Sequence, residues 1–170
     1  FYTQRDNKGK WQAPVPLGET INTAANEGSP FLDSKYSQLY FTRCGYEKKK
    51  PFGCEIFTAR QQGQDWAEPE RLDFGIDDPT AAGHPVAINE DMILFSSDMY
   101  GGQGGKDLWV IRFDNKEKIW GPAKNLGPDI NTPGNEMFPY IRDNGDLYSA
   151  SDGHIGMGGL DIFSSTLKGE

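Results

Sequence analysis

The chain has little of what reaction centres are usually made from. It carries two cysteines and two histidines in 170 residues. A structural zinc site needs four ligands, and no further pair stands at a suitable spacing beside Cys44 and Cys54. His84 and His154 have no Gly-x-Ser-x-Gly elbow to accompany them, so nothing points to a serine hydrolase triad in this stretch. Long apolar runs are missing too: none approaches the roughly 18 residues of a membrane-spanning helix, so direct membrane insertion is not expected. Basic residues are in the minority, 17 Lys and Arg against 25 Asp and Glu, for a net charge of -8. An acidic surface disfavours phosphate backbones and anionic lipid, so nucleic acid is not an expected partner. Runs of Ala, Leu, Glu and Lys at a 3.6-residue period are absent, which argues against long helices.

What is abundant points the other way. There are 21 glycines and 11 prolines, aromatics make up 12% of the chain, and mean hydropathy is low at -0.66. That mixture suits many short strands resting on aromatic side chains and separated by tight turns. The organising stretch is Phe95 to Trp109, two strands joined by the glycine-rich Gly101-Gly102-Gln103-Gly104-Gly105. A second copy runs from Asp152 to Phe163, and a degenerate one from Phe41 to Phe57.

The recurrence extends along the whole chain, and internal repeats outrank local signals. Trp11, Trp66 and Trp120 are spaced 55 and 54 residues apart. Six residues after each stands Leu17, Leu72 or Leu126, and ten after each stands Ile21, Ile76 or Ile130, followed by Asn22, Asp77 or Asn131. Nine residues beyond each isoleucine is a proline, Pro30, Pro85 or Pro139. Every unit closes on acid-aliphatic-aromatic: Glu55-Ile56-Phe57, Asp107-Leu108-Trp109, Asp161-Ile162-Phe163.

Each unit reads as four short antiparallel strands. The first follows the proline, as in Pro85 to Ile88. The second is Met92 to Ser97, the third Asp107 to Phe113, and the fourth a weak edge segment from Trp120 to Leu126 broken by Pro122. The Asn144-Gly145 pair is a hairpin signal. Four strands at a period in the fifties predict an all-β chain of β-propeller blades, with units at 1–57, 58–109 and 110–163 and residues 164–170 starting the next. Phe57, Trp109 and Phe163 are expected between adjacent blades. Closed rings usually need at least about four blades, so about three predict a fragment of a larger ring, or one completed by other chain.

The segment Leu94 to Trp109, with Trp120-Gly121-Pro122-Ala123-Lys124-Asn125-Leu126-Gly127 and Ile130-Asn131-Thr132-Pro133-Gly134-Asn135-Glu136, resembles the PD40 (WD40-like, TolB-like) propeller repeat. It is similar to the variant of Bacteroidetes envelope proteins, whose propeller sits between tetratricopeptide repeats and an OmpA-like domain. The resemblance implies a periplasmic, outer-membrane-associated location. It also implies protein partners in an envelope complex, the type IX secretion apparatus in particular, and peptidoglycan reached through a domain outside this chain. The chain departs from the pattern at Ala81-Ala82, where the other units have Asn-Glu, and at Gly45 to Lys50, which replaces the glycine-rich turn. TolB-like propellers also cover the active sites of prolyl-peptidase-type hydrolases, which is the competing expectation; a glycan-binding module is a third.

Cys44 and Cys54 flank a turn between antiparallel strands and are candidates for a disulfide, which would belong to an oxidising compartment; two buried thiols are the alternative. Asp98, Asp107, Asp152 and Asp161 border the glycine-rich turns, as turn caps or, in the competing reading, calcium ligands. Asp33, Glu90, Asp91 and Asp143 repeat from unit to unit, whereas a glycosidase needs two acids converging on one cleft. No catalytic residues, cofactor or metal are expected. Tyr36, Tyr46 and Tyr100, with the basic Lys48-Lys49-Lys50, are candidates for an interaction surface.

Overall fold

The computed structural model describes residues 1–45, 53–75 and 80–166, and the account below concerns those. The chain is all-β, with no helix among the described residues. Residues 1–15 form a small hairpin held by bridges between Tyr2 and Val15 and between Arg5 and Trp11. Three antiparallel sheets follow in chain order. The first contains β1 (Asn26–Leu32), β2 (Gln38–Cys44) and β3 (Cys54–Gln62), with the short β4 (Asp65–Trp66) and β5 (Glu70–Arg71) both paired to β3. The second contains β6 (Ala82–Asn89), β7 (Met92–Ser97) and β8 (Asp107–Asp114), with β9 (Ile119–Trp120) and β10 (Lys124–Asn125) both paired to β8. The third is β11 (Glu136–Ile141), β12 (Leu147–Ser151) and β13 (Asp161–Ser165).

The sheets pack face to face, and the alternation of side chains along a strand explains how. On β2, Leu39 and Phe41 join Ile21, Ala59 and the half-buried Phe57 on one face, while Tyr40 turns to the other. Tyr40 and Ile56 there meet Ile93, Phe95, Trp109 and Ile111 from the second sheet. Leu94 and Leu108 leave the opposite face of that sheet to meet Leu147 of the third. The second sheet is thus covered on both faces. This is why Met92 to Phe95 reads as an unbroken apolar run instead of an alternating one.

The repeated leucine and isoleucine are wedges. Leu17 and Ile21 pack on the outer face of the first sheet, Leu72 enters the core between the first and second, and Leu126 with Ile130 the core between the second and third. Ile76 and Asp77 lie outside the described residues. The polar residue after the isoleucine ties the wedge down: Asn131 accepts from Leu108 N at 2.8 Å and donates to Leu108 O at 3.0 Å. Asn22 accepts from Leu17 N at 2.8 Å.

Several expectations need correcting. The first strand of each sheet does not follow the proline; it begins before it, at Asn26, Ala82 or Glu136. The unit boundaries at 57/58 and 109/110 fall inside β3 and β8, because a cut placed on an aromatic lands in mid-strand. Of the three aromatics expected between sheets, Trp109 is 5% exposed in the core shared by the first two. Phe57 lines the outer core of the first sheet, and Phe163 is half-buried against the His154 ring.

Candidate functional site

Three successive sheets carry the same irregularity on their first strand. Register shifts interrupt β1 between Gly28 and Phe31, β6 between Gly83 and Val86, and β11 between Met137 and Tyr140. Inside each shift a non-glycine residue with left-handed backbone precedes the proline: Ser29 at φ 47°, His84 at φ 54° and Phe138 at φ 52°. This region is costly for residues with a Cβ, and backbone strain of that kind collects at functional positions. The proline of this bulge recurs visibly in the sequence, whereas the residue before it differs in every unit.

The bulges bring specific groups together. The rings of His84 and Phe138 stack with centroids 4.0 Å apart and an interplanar angle of 24°. His84 Nδ1 accepts from Phe138 N at 3.4 Å, and His84 N donates to Thr42 Oγ1 at 2.9 Å. Burial, and then the charge of Lys106, pull the His84 pKa below its ordinary 6.5. Between Ser29 and His84 a cleft of about 230 Å³ opens at the start of β1 and β6, walled by Asn26, Glu27, Thr42, the two cysteines, Ala81, Ala82, Gly83, Ser96 and Lys106. Cys44 and Cys54 form a disulfide, directly opposite one another in the β2–β3 ladder.

At the next joint hydrogen bonds tie the corresponding groups together. Between the second and third sheets, Gly105 N donates to Gly134 O at 2.8 Å, Lys106 N to Asn135 Oδ1 at 3.1 Å, and Ser96 Oγ to Glu136 O at 2.6 Å. The Glu136 carboxylate is fully buried and takes Thr132 N at 2.9 Å, Thr132 Oγ1 at 2.6 Å and Ser151 Oγ at 2.6 Å. Ala81 and Ala82 hold the equivalent positions at the first joint, so this clasp cannot form there. Glu27 keeps the acid in the first sheet, but bonds Thr23 Oγ1 at 2.6 Å and Arg43 Nε at 3.1 Å.

The expected site residues are dispersed. Tyr36 is 69% exposed in the β1–β2 turn, whereas Tyr100 is fully exposed in the β7–β8 loop, so the two sit at opposite ends of their sheets' second strands. They do not form one surface. Tyr46, Lys48, Lys49 and Lys50 lie outside the described residues. Among the acids, Asp107 accepts from Gln103 N and Asp161 from Gly158 N at 3.2 Å, as turn caps do. Asp98 and Asp152 instead hold the entry to the first strand, accepting from Ala81 N at 2.8 Å and Asn135 N at 2.6 Å. Asp33 accepts from Ser37 N and Gln38 N in its own turn, and Glu90 pairs with Lys35. The histidines find backbone partners, His154 Nε2 lying 3.0 Å from Ile130 O. Among the described residues no group of three or more metal-ligating side chains converges.

No family model matches the chain, and no curated protein matches it. Among solved structures it is similar to a puromycin-hydrolysing peptidase of Mycobacterium tuberculosis, at 17% identity and a TM-score of 0.54, over 84% of this chain and 20% of that one. The chain therefore spans about a fifth of that structure's length. The likeness concerns the fold alone.

Proposed function

We propose that the three sheets are blades of a β-propeller and that the domain is a non-catalytic scaffold in a periplasmic, outer-membrane-associated protein assembly. The observation that carries this reading is the repeated joint. Successive sheets stack on the same repeated leucine, Leu72 at the first joint and Leu126 at the second, and open on the same strained bulge, so each presents its loops in a fixed relation to the next. A rigid array of loops offers a broad docking face without needing motion. The resemblance to PD40 repeats of OmpA-family envelope proteins, the type IX secretion component PorE among them, supports the secretion apparatus as the assembly. Peptidoglycan would be reached through an OmpA-like domain elsewhere in the protein. Immobilised domain incubated with outer-membrane extract should retain type IX secretion components, identified by mass spectrometry against a bead control. Retention of none would remove the assembly from consideration.

The second reading is a propeller accessory to a prolyl-peptidase-type hydrolase. It is favoured by the likeness to a peptidase of which this chain covers only a fifth. The adjoining sequence separates the two: an α/β-hydrolase domain there favours the enzyme, an OmpA-like domain the scaffold.

A further inference from the structure

The cleft between the first two sheets has a size and a charge pattern that name an occupant. At about 230 Å³ it matches roughly eight waters, which is about the room of two small residues and less than a drug-sized ligand needs. Its floor is small and apolar. The Glu27 carboxylate is already engaged by Arg43 and Thr23. The Lys106 ammonium, at the rim, gives Asp98 one N–H at 3.3 Å and has two more to offer. The exposed Asn26 also lines the cleft. An extended chain cannot continue through the site by pairing with β1 or β6, because the bulges at Ser29-Pro30 and His84-Pro85 interrupt both edges. A chain that stops there meets no such obstacle.

We propose that this cleft takes the C-terminal residue of a partner peptide, its carboxylate on Lys106 Nζ and its small side chain against Ala81, Ala82 and the Cys44–Cys54 disulfide. Asn26 bonds the last peptide group. The site is available because Ala81 and Ala82 replace the Asn135–Glu136 clasp of the next joint. The inference goes beyond the scaffold reading and stands or falls apart from which assembly the domain serves.

The test uses the 170-residue chain and two probes, N-acetyl-alanyl-alanine and its C-terminal amide, titrated by NMR. The acid should move the backbone resonances of Ala81, Ala82, Gly83 and His84 saturably. The amide should bind at least about tenfold more weakly, the loss of one hydrogen bond to a charged group. Lys106→Gln should bring the acid down to the level of the amide. Ala81→Asn, which restores a clasp residue, should abolish binding while the β11–β13 resonances keep their positions; if that variant does not fold, Lys106→Gln decides. Equal binding of acid and amide, no saturable shift with either, or an unchanged acid affinity in Lys106→Gln would each overturn the proposal. So would N-acetylglucosamine moving these resonances where the acid does not.

Discussion

Cys44 and Cys54 occupy the cross-strand position that Asp98 and Lys106 fill in the second sheet, where the pair is an ion pair at 3.3 Å. The same hairpin mouth is thus tied covalently in one sheet and electrostatically in the next. With the cysteines ten positions apart in the chain, the chain-entropy model assigns the bond about 2–3 kcal/mol. The Cys44→Ser, Cys54→Ser double variant should lose that amount in guanidinium unfolding, and adding reductant to it should change nothing further. Glu136 is a second sensitive residue. Its buried carboxylate satisfies three donors, so Glu136→Ala should cost about 2–4 kcal/mol. Glu27→Ala removes a partly exposed partner and should cost less, in the same assay. His84 sets a pH dependence. Its folded pKa lies below 6.5, so the unfolded chain takes up the proton first. Stability from this group is complete above about pH 6.5 and falls as pH drops through the window between 6.5 and the folded value. Thermal unfolding of His84→Gln should lose that slope below about pH 6.5. The cysteine pair was legible because both residues flank one turn. The histidine's role was not, because it depends on Phe138, 54 residues away.

At the scale of elements, the second and third strands were the easiest to read. Met92 to Phe95 is a continuous apolar run, and Asp107 to Asp114 is rich in β-branched and aromatic residues. The start of the first strand was not legible. Asn26-Glu27-Gly28-Ser29 has the composition of a loop, and it becomes a strand only because β2 supplies a ladder. Its proline then does two things. It removes a donor from the sheet's edge strand, and with the bulge it keeps the edges of the three sheets from recruiting foreign strands. The glycine-rich loop is likewise more than a turn. A Cβ on Gly104 would stand 2.3 Å from the Pro133 carbonyl carbon, and one on Gly105 2.5 Å from Asn135 Oδ1. These glycines allow one sheet's loop to lie on the next sheet's entry. Gly104→Ala should therefore destabilise by about 1–3 kcal/mol in denaturant unfolding, as overpacking does. Gly101→Ala meets open space but has φ 93°, so its smaller loss would come from backbone strain alone.

On the scale of the whole molecule, the three sheets are alike in sequence and unlike in surroundings. The second is sandwiched: Ile93, Phe95 and Trp109 face the first sheet, and Leu94 and Leu108 the third. Among the described residues, the first has the Leu17–Ile21 segment alone on its outer face, and the third leaves Ile162 80% exposed on β13. A repeat read from sequence assigns all three the same strength, since it records spacing and not neighbours. In a stacked array, stability is a sum over units and the contacts between them, so the middle unit should open last. Hydrogen exchange should find the slowest amides in β7 and β8, at Ile93, Leu94, Phe95 and Leu108, which are at most 1% exposed. Those of β12 and β13 should exchange faster by the free energy of detaching the third sheet. Glu136→Ala should widen that gap, because it loosens the joint holding β11 while leaving the core between the first two sheets untouched. If β13 proves as protected as β8, the sheets unfold as one block and the joint carries less than its buried carboxylate implies.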